Sequence, residues 1–482
     1  MPDVDYHAIA PELIMSATIL VVLIADLFLR QERKWLAMVL SFLGTSAALL
    51  TTLSLVGDTR SSFGGTYVVD SFAVLFKVFF LIATLAVLLL SLRYFREGRY
   101  YQGEYYFLLL SAVLGMLTIS SSRDLLMLFI SLELVTAPAW LMAGFRKRDP
   151  RSNEAALKFF LIGILSTAVM LYGMSLIYGI TGSLKLTDIA AVLGEGPEAL
   201  GIAAVLFVVT GFAFKVSSVP FHFWAPDTYE GSPIPVAAFL SVASKAAGFA
   251  GLLQIMFLGF GPLSHLWTPV FAVLSILTMT IGNLVALQQR QIVRLLAYSS
   301  IAQAGYMLLP FALVGLGPDP VATNELAFSS AVLYILIYGV MNLGAFGVVV
   351  ALAREAPGAL ISDFAGMARR APGLALAMAM FMLSLAGIPP LAGFWAKFRI
   401  FQAAVSADQV WIAIVMVVNS VISVFYYFLV FRPMFFVDVP GAKPLRAPAS
   451  VAAVVAVSAV AVLAVGILPD LFAKFPQGAT LP

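Results

Sequence analysis

Long apolar stretches alternate with short polar connections along the whole chain. A helix that crosses a bilayer needs roughly 20 mostly apolar residues. Fourteen stretches reach this length, so we predict an all-α polytopic membrane protein with about 14 transmembrane helices. The predicted spans are residues 11–29, 35–56, 71–92, 105–120, 124–145, 155–181, 200–223, 233–259, 266–287, 293–316, 327–352, 373–404, 410–435 and 449–470.

The seventh and twelfth spans are interrupted by glycine and proline, which weaken a helix. The first interruption contains VPFHFWAPD at 219–227, and the second contains IPPLAGFWAKF at 388–398. Each lies in the fourth span of a five-span block, spans 4–8 and spans 9–13. Interrupted spans at corresponding positions of two halves are typical of inverted-repeat transporters with sites near the midplane. We therefore predict two inverted five-helix repeats with discontinuous helices at spans 7 and 12.

This pattern divides the chain into four predicted parts. Residues 1–104 carry three N-terminal transmembrane helices, and residues 105–259 form the first five-helix repeat. Residues 260–435 form the second repeat, and residues 436–482 carry a C-terminal transmembrane helix.

The composition agrees with a lipid environment. Of 482 residues, 61% are apolar and only 11% are charged, and the mean hydropathy is +1.00. Soluble proteins are nearer to about 45–50% apolar and about 25% charged. The net charge of +3 is too small for a nucleic-acid-binding surface, and we expect no nucleic-acid partner.

The basic residues are divided unevenly between the two sets of loops. The loops after odd-numbered spans hold eighteen Lys and Arg residues, whereas the other loops and the C-terminal segment hold only Arg60, Arg123, Lys185 and Lys474. We call the side on which the eighteen basic residues lie the basic side, and the other side of the membrane the opposite side. Basic loops concentrate in the cytoplasm. The asymmetry therefore predicts an even number of spans with both termini on the outer, periplasmic side.

The chain has no cysteine and only three histidines. Disulfides, zinc–cysteine sites and cysteine-bound iron–sulfur clusters are thereby excluded from this chain. Neither a Walker-type phosphate loop nor a strand followed by GxGxxG is present. We expect no metal and no cofactor on the chain, and we expect its energy to come from an ion gradient or a partner.

Four ionisable residues lie deep inside predicted spans: Glu133, Lys215, Lys245 and Lys397. A charge at the bilayer centre costs about 2.5–3.5 kcal/mol on insertion scales, so such residues generally face the protein interior and have a function. Lys215 precedes the first interruption, Lys397 follows the second, and small residues surround Lys245. We therefore predict that these four residues form an ion pathway, and we prefer this interpretation to a purely structural role for each of them.

Other polar residues in the spans allow more than one interpretation. Lys77 and Lys158 lie near span ends, where lysine commonly extends its ammonium group to the interface. Arg399 either shares a polar cavity with Lys397 or reaches an interface. His222 is a possible proton relay, since histidine titrates near neutral pH, or a cap of the broken helix.

The residues alone suggest a mechanism. A Glu133–Lys215 pair would hold both charges, and its separation would favour release of a proton from the lysine. A row of such coupled groups could pass protons between two half-channels, with titration belonging to the pair.

Several motifs resemble the antiporter-like subunits of respiratory complex I, the proton-pumping NADH:quinone oxidoreductase, and among these the N subunits most closely. They are SLELVTAPAW, FKVSSVPFHFWAPDTYEGSP, SKAAGF, RLLAYSSIAQAGYML and LAGIPPLAGFWAKF, and the resemblance covers essentially the whole chain. It implies proton translocation by Glu133, Lys215, Lys245 and Lys397 in a bacterial inner membrane. It also implies that NADH, FMN, iron–sulfur clusters and quinone bind to other subunits.

The implied partners are a neighbouring antiporter-like subunit, small membrane subunits and the lateral helix of the largest subunit, within the lipid bilayer. Two alternatives share these motifs. One is a subunit of a multi-subunit Na⁺/H⁺ antiporter, and the other is a membrane subunit of an energy-converting hydrogenase.

Overall fold

The structure is a computed structural model that describes residues 4–97, 102–195, 198–356, 358–441, 443–470 and 472. Within these ranges the chain forms a helical bundle with one two-stranded hairpin. Its first part contains α1 Ala10–Phe28, α2 Trp35–Leu53, β1 Arg60–Ser62, β2 Tyr67–Val69, α3 Ser71–Glu97, α4 Gln102–Ser121, α5 Leu125–Ala143, α6 Pro150–Thr181, α7 Leu186–Leu193, α8 Glu198–Lys215 and α9 Trp224–Gly231.

The eighth predicted span is one run with two π-helical turns. It consists of α10 Ile234–Phe239, a π turn at Leu240–Ser244, α11 Lys245–Gln254 and a second π turn at Ile255–Gly259. The remaining helices are α12 Ser264–Ala286, α13 Ile292–Leu308, α14 Pro320–Ala353, α15 Met367–Arg370, α16 Pro372–Ala386, α17 Ala392–Ser406, α18 Val410–Phe436 and α19 Ala449–Ile467.

The structure confirms the predicted class of a polytopic helical membrane protein. Twelve runs of helix in the described part of the chain are long and apolar enough to cross a membrane. The other two predicted spans are the interrupted ones, where shorter helices at 199–215 and 372–386 are followed by a break. The inverted symmetry of the two five-helix blocks and the four-part division stay predictions.

The two interruptions end their helices by different local geometry. After Lys215 the chain leaves the helix through Ser217, which has a left-handed φ of 61°. Helix α16 ends at Gly387, whose φ of 90° is one that glycine adopts without steric cost. The amide of Gly387 donates to the carbonyls of Leu383 and Ser384, which closes the last turn.

The centre of the bundle is the run 234–259, which is buried throughout almost its whole length. Helices α13 and α14 pack around it and are also largely buried, whereas α1, α2 and α6 expose broad apolar faces. Leu20, Leu50 and Leu165 are examples of such exposed side chains. This distribution is expected when the outer solvent is lipid, and it places polar groups of the central helices away from lipid.

The hairpin and α7 were not predicted from the sequence. Strands β1 and β2 pair antiparallel, with Ser61 opposite Val68, in the connection between α2 and α3. The Tyr67 strand end also forms a bridge with Ser122, next to the start of α5. The hairpin therefore holds the N-terminal helices against α4 and α5 on the opposite side.

Candidate functional site

Lys215 is buried at the end of α8, where the first interruption begins. Its Nζ donates to the Thr136 hydroxyl of α5 at 2.7 Å, and that hydroxyl donates to the Leu132 carbonyl. Its aliphatic stem lies against Gly248 of α11, where an added Cβ would come within 2.8 Å of Lys215 Cγ. The small residue allows the lysine to lie between α5 and α11.

Glu133 occupies the same helix as Thr136 and is half-buried. Its Oε1 accepts a 2.9 Å hydrogen bond from the Thr167 hydroxyl of α6. Among the residues that the structure describes, no ion pair within 4.0 Å joins Glu133 to Lys215. The expected direct pair is thus not formed in this structure, and each group has a threonine hydroxyl as its hydrogen-bond partner.

Lys245 directly follows the first π turn of the central run and is buried. Its Nζ donates to the Ser300 carbonyl at 2.7 Å and also to the Ser300 hydroxyl. Both acceptors belong to α13, so Lys245 links the first predicted repeat to the second.

Lys397 lies on α17, directly after the second interruption, and is buried. Its Nζ donates to the Ala386 carbonyl at 2.8 Å and to the Ser420 hydroxyl of α18 at 2.7 Å. The same atom lies 4.6 Å from the centroid of the Tyr306 ring. The broken helix supplies an acceptor here, because its terminal carbonyl has no partner further along the helix.

A row of polar side chains on α13 extends between Lys245 and Lys397. Ser299 shares a 2.6 Å hydrogen bond with the Tyr427 hydroxyl, and Gln303 donates to that hydroxyl at 3.2 Å. Gln303 also accepts from Tyr334 at 2.5 Å and donates to the Leu385 carbonyl at 3.1 Å. The row, formed by Ser299, Ser300, Gln303 and Tyr306, therefore begins beside one lysine and ends beside the other.

His222 lies in the first interruption and is buried, without direct contact with the four predicted site residues. Its Nδ1 and the Ser217 hydroxyl are buried atoms without a hydrogen-bond partner among the residues described. His222 thus lies inside the break, and its role as a relay stays a prediction.

On the basic side, Asp227 of α9 joins elements from both predicted repeats. Its two carboxylate oxygens accept from Lys158 of α6 and Arg294 of α13, each at 2.7 Å. Lys158 also pairs with Glu154 at 2.6 Å and is partly exposed, as expected for a lysine that extends to the interface. Arg294 also donates to Glu230 at 2.9 Å.

The interface interpretation of Lys77 is wrong. The side chain is fully buried, and its Nζ lies 2.8 Å from Glu12 Oε1 and 2.7 Å from the Tyr67 hydroxyl. The position of Lys77 along its span did not reveal this environment, because the partner Glu12 lies on another helix, α1, far away in sequence.

Lys397 is not among the residues that line the cavity beside Arg399. Arg399 lines this cavity of about 410 Å³ together with Trp395, Gln402 and Asp470. In the ranges that the structure describes, no group of three or more His, Asp or Glu side chains is arranged to hold a metal ion.

Sequence reasoning missed several polar partners of the lysines. They are Thr136, Ser420 and Tyr306. It also missed Tyr334 and Tyr427, which bond to the polar row on α13. The signal available in the sequence was the spacing of polar residues at 299, 300, 303 and 306, which places them along one side of a helix.

Comparisons with known proteins identify the family of the chain. A family model described as "NADH:quinone oxidoreductase/Mrp antiporter, TM" matches residues 122–423. The chain is 39% identical to NADH-quinone oxidoreductase subunit N of Trichlorobacter lovleyi, over 99% of this chain and 97% of the relative.

Solved structures are similar as well. A chain of respiratory complex I from Thermus thermophilus with bound aureothin has a TM-score of 0.79 at 32% identity, covering 96% of this chain and 98% of the other. A chain of the Mrp complex from Dietzia sp. has a TM-score of 0.86 at 20% identity, covering 99% and 97%. The second likeness concerns the fold alone.

Proposed function

Because the chain belongs to the family of NADH:quinone oxidoreductase and Mrp antiporter membrane subunits, we propose that it translocates protons as a membrane subunit of an NADH:quinone oxidoreductase. The name of the 39% identical relative supports this choice over an Mrp-type antiporter. The similar chain of the Mrp complex is only 20% identical in sequence. It therefore supports the fold of this chain, but not a transport activity like that of the Mrp complex.

The observation that carries the proposal is a line of three buried lysines, each bonded to hydroxyl or carbonyl oxygens. Lys245 and Lys397 meet the same row of polar side chains on α13. Lys215, Lys245 and Lys397 lie on three different helices, and every ammonium group has an oxygen acceptor within 2.8 Å. A buried ammonium depends on such acceptors, since nothing else replaces its lost hydration. A shift of one acceptor therefore favours transfer of the proton to the next group.

The two helix interruptions lie beside Lys215 and Lys397, where a movement of the backbone would change the acceptors of each lysine. Glu133 and Lys215 accept protons near the first break, with His222 as a possible relay. Lys245 passes them to the row on α13, and Lys397 releases them near the second break. These steps form two half-channels that meet at the α11–α13 contact.

The proposed orientation follows from the charges. The basic side faces the cytoplasm of a bacterial inner membrane, and both termini are periplasmic. Neighbouring antiporter-like and small membrane subunits, and the lateral helix of the largest subunit, pack against the exposed apolar helices. NADH, FMN, iron–sulfur clusters and quinone belong to other subunits, which supply the redox energy.

Replacement of Lys245 by methionine in the assembled complex tests this proposal. Methionine keeps most of the length and the apolar character of the stem but removes the charge and the donors to Ser300. In proteoliposomes, we expect NADH-driven proton uptake per electron to fall, with any residual turnover less tightly coupled to pumping. Lys185→Met is the matched control, since Lys185 is a lysine outside the line that bonds to the Gly64 carbonyl.

An unchanged proton-to-electron ratio in the Lys245 variant would contradict proton transfer through this line. Radioactive sodium uptake, measured with the same vesicles, distinguishes the antiporter alternative: sodium transport driven by an imposed proton gradient, without NADH, would favour that class.

A further inference from the structure

A second buried group of charged and polar residues lies on the opposite side, apart from the line of lysines. We name it the outer cluster, and it consists of Glu12, Tyr67, Asp70, Lys77, Arg123 and Gln254. Each residue in it is at most 7% exposed. Burial of this many ionisable groups is costly unless they are paired, and removal of one partner is destabilising.

Arg123 is the centre of this cluster. Its guanidinium donates to the Asp70 carboxylate at 2.5 Å and to the Gln254 side-chain carbonyl. Its backbone amide bonds to the Thr66 carbonyl, and its own carbonyl accepts from Leu186. The arginine is therefore fixed by its backbone as well as by its side chain.

Gln254 connects the cluster to the helix that carries Lys245. Its amide nitrogen donates to the Ile119 carbonyl of α4 at 2.7 Å and to the Ala250 carbonyl of its own helix at 3.0 Å. Nine residues separate it from Lys245, or about 14 Å along an α-helix. Gln254 thus attaches the outer end of α11 to α4 and, through Arg123, to α3.

One face of α11 leads from Lys215 to the outer cluster. Gly248, Gly251 and Gln254 repeat at intervals of three residues, which places them along one side of the helix. Gly248 meets Lys215, and Gln254 meets Arg123. Between them, a Cβ at Gly251 would lie 2.9 Å from both Ile119 and Phe212, so the intervening space is filled by apolar atoms.

We propose that Asp70, Arg123 and Gln254 are positioning residues that keep this apolar constriction closed, so that a proton on Lys215 cannot leave directly toward the opposite side. The proposal rests on the proposed proton translocation and adds a barrier to it. An unpaired buried charge attracts water, and a water-filled gap beside Ile119 and Phe212 would conduct protons. The barrier directs protons toward Lys245 and the second break.

Arg123→Gln in the assembled complex is the principal test, because it leaves Asp70 without its cation. Proteoliposomes receive an imposed pH gradient without NADH, with potassium and valinomycin clamping the membrane potential. We expect the gradient to decay roughly tenfold faster, which corresponds to about 1.4 kcal/mol in favour of the open constriction. Asp70→Asn combined with Arg123→Gln removes both charges and should bring the decay back toward the wild-type rate.

Two further variants keep the test decisive. Gln254→Leu retains the ion pair but releases α11, and should also accelerate the decay, even if Arg123→Gln does not assemble. Arg60→Gln is the matched control, since Arg60 lies on the same side and pairs with Asp5 and Asp58 at a partly exposed site. This control should hold the gradient as the wild type does.

The barrier is refuted if the assembled Gln254→Leu complex, and Arg123→Gln where it assembles, retain the gradient as the wild type does. It is also refuted if a trapped dye escapes as fast as protons, because that would indicate general loosening. The gradient assay requires no turnover, so it is independent of the Lys245→Met pumping assay. Failure of the barrier and failure of the proposed function are therefore distinguishable.

Discussion

Lys215 and Thr136 are joined by a 2.7 Å hydrogen bond at a point one helical turn beyond Glu133. The lysine therefore bonds to α5 one turn from the acid, and the two groups form no direct ion pair. A hydroxyl group can accept one hydrogen bond while it donates another. Thr136 uses both abilities, since it accepts from Lys215 and donates to the Leu132 carbonyl.

Thr136→Val should slow proton translocation while preserving the volume of the side chain. Valine removes the acceptor of Lys215, and loss of a hydrogen-bond partner from a buried charged group costs about 1–3 kcal/mol or more. We expect NADH-driven proton uptake in proteoliposomes to fall by roughly tenfold, by the free-energy relation for rates. Thr118→Val is the control, because the Thr118 hydroxyl bonds only to carbonyls of its own helix. Equal pumping by the Thr136 variant and the wild type would show that Lys215 does not need this acceptor.

Lys77→Met should destabilise the protein. The substitution leaves Glu12 buried without its cation, and breaking one side of a buried pair typically costs about 3–5 kcal/mol. We expect a lower thermal unfolding temperature of the purified complex, followed by the release of this subunit on heating. Adding Glu12→Gln should recover much of the loss, since a neutral amide needs no counter-charge. If Lys77→Met melts at the wild-type temperature, the ion pair has no structural importance.

Gly387→Ala should disturb the second break. Its φ of 90° is unfavourable for an L-residue, at about 1–2 kcal/mol, and the new methyl group would lie 2.8 Å from Lys397 Cδ. We expect lower proton uptake per NADH oxidised, because Lys397 must move from Ala386 and Ser420. Gly373→Ala is the control. Gly373 lies on α16, the helix that Gly387 ends, and a Cβ there meets nothing within 4 Å. Normal pumping by the Gly387 variant would argue against a fixed position of Lys397.

Much of the fold could be predicted because hydropathy and helix-breaking residues are local properties of sequence. The predicted span 410–435 corresponds to Val410–Phe436, and the two interruptions coincide with Pro220 and Pro390. Depth within a span is also local, and it correctly selected Lys215, Lys245 and Lys397 as buried residues.

The partners of those residues could not be predicted in the same way. Gln303 and Tyr427 are 124 positions apart, and Lys77 and Glu12 lie on different helices. Distance from a span end suggested an interfacial Lys77, but only the tertiary structure, which brings Glu12 of α1 to Lys77 of α3, reveals the carboxylate beside it. The polar residues of α13 were visible, whereas their role between two lysines required the tertiary structure.

The π turn at Leu240–Ser244 makes the exact number of residues before Lys245 important. A π turn contains one residue more than the corresponding α turn, and each residue rotates a helix by about 100°. Loss of one residue here would hardly change the hydropathy of the span, which would still cross the bilayer. It would, however, turn Lys245 away from Ser300 and so separate the two halves of the proposed proton pathway. Helix phase, set by a single inserted residue, is thus as much a determinant of this site as the identity of its lysines.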